Sequence, residues 1–152
     1  MKTDKTTVAN MFRELGVMLE IKGENPFKIR AYENAAKIIE KLPENLEGLA
    51  RSSDLIRIDG IGPAIAKKIS TIIETGGLPK LDEVRASIPP ELIRMLEIPG
   101  LTPHKINLLW KKLGITTVAE LKDACRENRL AELRGFGEES QTEILKYFGE
   151  KG

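Results

Sequence analysis

The sequence predicts an all-α fold: a compact set of helices built from three copies of one helix-turn-helix unit. Apolar residues recur every three or four positions, and β-branched residues follow that spacing rather than alternating, so strand signals are nearly absent. A short turn signature also appears three times. It reads Ile58-Asp59-Gly60-Ile61, then Ile98-Pro99-Gly100-Leu101, then Leu133-Arg134-Gly135-Phe136, with its glycines spaced by 40 and 35 residues. A fixed unit repeated at such a period marks repetition of one supersecondary element.

The helices follow in order. Val8, Met11, Phe12, Leu15, Met18 and Leu19 stripe a first helix that ends before Gly23. Asn25 is an N-cap with Pro26 behind it, and Phe27, Ala31, Ala35, Ile38, Ile39 and Leu42 stripe a second helix up to Pro43. Lys28, Arg30 and Lys37 project from its other faces. A short third helix carries Leu46 and Leu49. The first hairpin follows, a short helix and a Gly-Ile-Gly turn leading into a helix from Pro63. Its buried face is Ile65, Ile69, Ile72 and Ile73, and Gly76-Gly77 ends it. Leu78 to Ser87 reads as a connecting helix, and Pro89-Pro90 resets the chain. The second hairpin helix bears Ile106, Leu109, Trp110 and Leu113 and closes at Gly114. Thr117 with Glu120 is a capping box for the next helix, with Leu121 and Ala124 inward. The third hairpin leads into a helix with Ile144, Leu145 and Phe148. The spacing of Trp110 with Ile106 and Leu113 points it into the core, Tyr32 is equally core or pocket rim, and His104 faces backbone phosphate or solvent.

The turns carry the candidate chemistry. Gly60 and Gly62 are expected to supply backbone angles closed to other residues and to allow close approach of another backbone. Pro63 at the first helical position has no N–H to lose, so the remaining amides of the first turn point outward at the positive end of the helix dipole. That is a site for a phosphate. Ile58, Gly60, Ile61, Gly62 and Ala66 together resemble the helix-hairpin-helix motif. The second copy has Thr102 in place of the second glycine, which predicts a less free turn, with Lys105, Lys111 and Lys112 following. The third has Glu138 and Glu139 at the helix start, where carboxylates satisfy the dipole and repel phosphate, so it is expected to be mainly structural.

Composition bounds the function. With 24 Lys and Arg against 23 Asp and Glu, the net charge is only +1, so any nucleic-acid contact must come from local cations and oriented amides. One cysteine, Cys125, excludes an intrachain disulfide, and one histidine beside it makes a zinc site improbable. No apolar run spans a membrane and the first residues do not read as a secretory signal, so a reduced, cytoplasmic protein without a membrane partner is expected.

The whole chain resembles the amino-terminal part of family X DNA polymerases, of the polymerase beta and bacterial PolX type. Three passages carry this: Gly23-Glu24-Asn25-Pro26-Phe27-Lys28-Ile29-Arg30-Ala31-Tyr32, the first hairpin through Glu74-Thr75-Gly76, and Ile98-Pro99-Gly100-Leu101 onward. The resemblance implies a lyase-type helical domain with the first hairpin over residues 1–80 and a second subdomain with two more over residues 81–152. It implies DNA as partner, gapped, nicked or bearing a 5′-phosphate, held through Gly60, Gly62, Lys67, Lys28, Tyr32, Lys80, Gly100, Thr102 and Lys105. It also implies a Schiff-base lysine, which falls on Lys68, with Lys67, Lys28 and Lys80 as neighbouring cations. Ala64 stands where the family has a phosphate-binding lysine, and Phe27 where the polymerase beta type has a histidine. Both departures weaken the expected grip on a 5′-phosphate. No further cofactor is required, but the family's hairpins hold a monovalent cation, sodium or potassium, on backbone carbonyls. Those match Ile56, Ile58 and Ile61 in the first turn and Leu96, Ile98 and Leu101 in the second.

The palm of that family, which needs paired carboxylates for two metal ions, has no counterpart here. The five aspartates, Asp4, Asp54, Asp59, Asp82 and Asp123, form no Asp-x-Asp pair. The chain is therefore expected to be no polymerase by itself, and a palm would come from a longer chain or another protein. The expected function is sequence-independent recognition of gapped or nicked DNA in repair. Two rivals stay open: a deoxyribose-phosphate lyase using Lys68, and a hairpin scaffold for protein interaction that binds no DNA.

Overall fold

The computed structural model describes residues 4–42, 45–51 and 54–149, and among these there are helices and turns but no strand. The chain divides into two compact units, one comprising Met1–Leu19 with Glu24–Arg85, the other Glu20–Gly23 with Ala86–Gly152.

The first unit is built on α1 (Lys5–Lys22) as far as Leu19, α2 (Pro26–Lys41), α3 (Leu46–Arg51), α4 (Pro63–Thr75) and α5 (Pro79–Ala86) as far as Arg85, while the last turn of α1 belongs to the second unit. Its fully buried side chains include Phe12, Leu15, Ile39, Ile69 and Ile72. Each contributes about 1.5–3 kcal/mol by leaving water. The expected cap of α2 is present, with Asn25 Oδ1 accepting the N–H of Phe27 at 2.9 Å. The expected end of α2 at Pro43 lies outside the described residues.

The apolar stripe expected for α2 is out of phase at its start. The buried face is Ile29, Tyr32, Ala35, Ala36 and Ile39, whereas Phe27 is 75% exposed. Two residues before Ile29 is about 200° around a helix, so Phe27 lies on the opposite face. The Arg30 guanidinium covers its ring at 5.1 Å from the centroid. Two ion pairs fasten α1 at the surface. Arg13 makes a two-pronged pair with Glu40 of α2, one prong at 2.8 Å, and Glu14 pairs with Arg85 of α5.

The second unit contains α6 (Pro90–Arg94), α7 (Pro103–Leu113), α8 (Val118–Arg126) and α9 (Glu138–Tyr147). Leu92, Met95, Ile106, Leu109, Ile115 and Leu121 fill its core. Trp110 departs from expectation: it is only half-buried, and the Lys111 ammonium sits over its ring at 3.7 Å. Asn107 also departs from the core-facing pattern of α7, donating from Nδ2 to the Ile21 carbonyl at 2.8 Å. The predicted pairing of Thr117 with Glu120 forms at the start of α8, with Thr117 Oγ1 accepting the Glu120 N–H at 3.1 Å, but the Glu120 carboxylate reaches back to the Thr116 N–H at 3.2 Å. Glu91 adds a second acceptor there, taking the Val118 N–H at 3.2 Å. Buried Gln141 joins α9 to the third hairpin. Its Oε1 accepts the Leu130 N–H at 3.1 Å and its Nε2 donates to Asn128 Oδ1 at 2.6 Å.

Candidate nucleic-acid interface

The three hairpins share one backbone device. Each opens with a single 3-10 turn, at Leu55–Arg57, Met95–Glu97 and Leu130–Glu132. A tight turn follows, in which Ile61 N–H bonds Ile58 C=O at 3.0 Å, Leu101 bonds Ile98 at 3.1 Å, and Phe136 bonds Leu133 at 3.2 Å. The first glycine of each signature occupies the third position of this turn with a left-handed φ: +93° at Gly60, +88° at Gly100 and +89° at Gly135. That is the conformation a type II turn demands and an L side chain resists.

The second position of the Gly-x-Gly pair is different, and here the expectation is corrected. Gly62 has φ −82° and ψ 174°, ordinary extended backbone, and Thr102 matches it with φ −87° and ψ 163°. Thr102 therefore does not constrain its turn. What glycine supplies at position 62 is empty space, since a Cβ there would meet no atom within 4 Å. The first helical turn of α4 consequently lies uncovered, with no side chain capping it. In the second hairpin Thr102 Oγ1 accepts the Lys105 N–H at 3.2 Å, so one of the equivalent amides is already satisfied. In the third, Gly137 offers no side-chain cap, while Glu138 and Glu139 stand in the first turn of α9.

The predicted site residues distribute over both units. Gly60, Gly62, Lys67, Lys28, Tyr32, Lys80 and Lys68 belong to the first, and Gly100, Thr102 and Lys105 to the second. Lys28 and Lys67 are exposed, whereas Lys68, Lys80 and Lys105 are half-buried. Among the described residues none of Lys28, Lys67, Lys80 and Lys105 has a carboxylate partner, so their ammonium groups are available to an external anion. Of the two expectations for Tyr32, core or pocket rim, the structure shows a core residue. Its buried ring stacks on Phe12 with centroids 5.9 Å apart, and the Lys68 ammonium lies 5.9 Å from its centre. His104 is exposed. Among the described residues no three His, Cys, Asp or Glu side chains cluster as metal ligands.

Two of the carbonyls expected to hold a monovalent cation, those of Ile58 and Ile98, already take part in the turns. Ile58 and Ile98 each give one carbonyl lone pair to a turn N–H, and a carbonyl has a second. Ile56 and Ile61, with Leu96 and Leu101, carry the other carbonyls of the expected sets.

Sequence reasoning missed Phe136 as part of this surface. It lies beneath Lys105, whose ammonium is 5.4 Å from the ring centroid. The side chain read simply as an apolar turn residue. No spacing rule pairs positions 105 and 136.

This geometry agrees with two family models. A helix-hairpin-helix domain model matches residues 3–78, and a SAM-like helix-hairpin-helix tandem model matches residues 92–148. The chain belongs to the helix-hairpin-helix family. It is 32% identical over 97% of its length to a DNA polymerase/3′-5′ exonuclease PolX of Bacillus subtilis, and 36% identical over 53% of its length to DNA polymerase IV of Saccharomyces cerevisiae. The resemblance to family X polymerases expected from the sequence is thus found across almost the entire chain. The chain spans 25% of the length of the first relative and 14% of the second. Among the described residues no helix is long and apolar enough to cross a membrane.

Proposed function

We infer that this chain binds DNA in a polymerase-related setting, through the phosphate backbone and without reading base sequence, at nicks or gaps that arise in repair. The observation that carries this reading is the open N-terminus of α4. Its outward amides lie behind the Gly60 turn with no side chain over them, beside the exposed and unpartnered Lys67. The Gly100 turn with Lys105 forms a second contact. Amides and ammonium groups aimed at phosphate fix position on a duplex but carry no sequence information. The Asp59 side chain and the acidic third hairpin restrict the contact to these two points and hold overall affinity down. A sodium or potassium ion on the turn carbonyls would bring positive charge to the same phosphates. Replacing potassium with tetramethylammonium at constant ionic strength should then weaken binding.

A salt titration tests the reading. Each neutralised phosphate on a duplex contributes about −0.9 to the slope of log affinity against log salt concentration. Two hairpins with Lys67 and Lys105 predict a slope of about −1.8, equal on unrelated sequences. No measurable binding at low salt would favour the protein-interaction scaffold instead.

One observation favours the lyase as a second reading. Lys68 is half-buried on α4 against the Tyr32 ring, a fixed position for a nucleophilic amine on the same helix as the phosphate cradle. In that chemistry the amine attacks the sugar aldehyde and water leaves, giving an imine. Loss of a C2′ proton with departure of the 3′-phosphate follows. Borohydride trapping on a duplex with a 5′-deoxyribose phosphate, compared with Lys68→Ala, separates an imine-forming Lys68 from a phosphate contact.

A further inference from the structure

We propose that Phe136, on the third hairpin, is a positioning residue for the second hairpin's contact with DNA, holding the Lys105 ammonium beside the Gly100 turn. This rests on the reading above, in which Lys105 meets a backbone phosphate. Lys105 is fixed at both ends. Its backbone N–H is taken by Thr102 Oγ1 at 3.2 Å, and its Nζ lies 5.4 Å from the centroid of the Phe136 ring. Its Cε also packs 3.9 Å from where a Cβ on Gly135 would stand, so the third turn approaches the lysine stem closely. Lys105, Phe136, Gly100 and Pro99 line one concavity of ≈ 50 Å³, which Glu143 borders from α9.

A lysine side chain free on a surface loses rotamer entropy when one position is imposed on it. Here much of that ordering precedes any ligand. The ring face attracts the cation, the ring is itself buried, and an ammonium has three N–H donors, so one side against the ring leaves others to face outward. The third hairpin, whose own helix start carries Glu138 and Glu139, thereby acts on DNA through its neighbour. Its role is to hold a cation that belongs to the second hairpin.

The test measures affinity for a nicked duplex over a range of salt concentrations. It uses the wild-type chain, Phe136→Leu, Phe136→Tyr, Lys105→Ala and the Phe136→Leu/Lys105→Ala double variant, with folding checked by thermal melting. The ε-CH2 protons of Lys105 are followed by NMR in the free protein. Phe136→Leu keeps an apolar side chain in the core but removes the π face. It should weaken binding about two- to fivefold and abolish an upfield ring-current shift at Lys105. Phe136→Tyr should retain both. Lys105→Ala should weaken binding and flatten the salt slope by about 1, and the double variant should bind as Lys105→Ala does. If Lys105→Ala weakens binding but Phe136→Leu acts equally with or without Lys105, the ring is only core packing and the proposal fails alone. If Lys105→Ala leaves affinity and slope unchanged, the phosphate role of Lys105 fails and takes the proposal with it.

Discussion

Thr102 Oγ1 accepts the N–H of Lys105 at 3.2 Å, whereas the amide three residues beyond Gly62, that of Ile65, has no capping side chain. Two hairpins with the same backbone path therefore present different helix N-termini, one partly closed and one open. The difference lies in a single side chain.

Thr102→Ala should lower stability by about 1 kcal/mol, because the cap is lost while the backbone keeps its extended conformation. Thr102→Gly should cost only a few tenths, since glycine is tolerated as an N-cap. Urea unfolding of both variants checks the order. An equal loss in the two would show that the hydroxyl bond contributes little.

Gly100→Ala should cost about 1–2 kcal/mol from the left-handed backbone at φ +88°, with no added crowding. Gly60→Ala should cost more. Its φ is +93°, and a Cβ would stand 2.4 Å from Ile38 Cδ1, forcing that flexible side-chain end to move. Denaturant melts of the pair measure the difference.

The fold was legible because helices declare themselves by period, and caps by residue type. Asn25, Pro63, Gly76, Gly114 and the Thr117–Glu120 pair each mark a helix end by local chemistry. Phe27 was misplaced because a stripe counted from the helix start has little to fix its phase, and the true face is set by Ile29 and Tyr32 meeting the core. Gly62 was misjudged for another reason. Sequence shows that a glycine is present but not whether it supplies an unusual φ or an empty volume. The Lys105–Phe136 and Asn107–Ile21 relationships join distant segments, so only the folded chain displays them.

Glu143→Gln should strengthen DNA binding about two- to fivefold at low salt and less as salt is raised. The exposed carboxylate borders the same concavity as Lys105, where it opposes an incoming phosphate. Affinities measured at two ionic strengths decide this. A gain that persists at high salt would point away from electrostatics.

Glu120 predicts a pH dependence of stability. Its carboxylate accepts the Thr116 N–H at 3.2 Å and the Thr117 hydroxyl at 3.0 Å, which hold its pKa below the usual 4.5. A folded-state pKa depressed in this way stabilises fully above about 4.5, and the benefit is lost as pH falls through the lower folded value. Glu40, held down chiefly by its hydrogen bond from Arg13, acts in the same direction. Glu120→Gln should therefore lose stability less steeply than wild type below pH 4.5. Parallel acid-denaturation curves would refute that role.

The most direct measurement is the affinity of Gly62→Val for nicked duplexes of two unrelated sequences, with circular dichroism to verify the fold. Position 62 has extended backbone and open space, so valine should forfeit only about 1 kcal/mol of cap preference and leave the helices intact. If the open N-terminus of α4 cradles a phosphate, the branched side chain blocks the approach. Affinity should then fall about tenfold, equally on both sequences, with a salt slope flatter by about 1. A folded variant with wild-type affinity, or one weakened on a single sequence, would contradict the phosphate cradle.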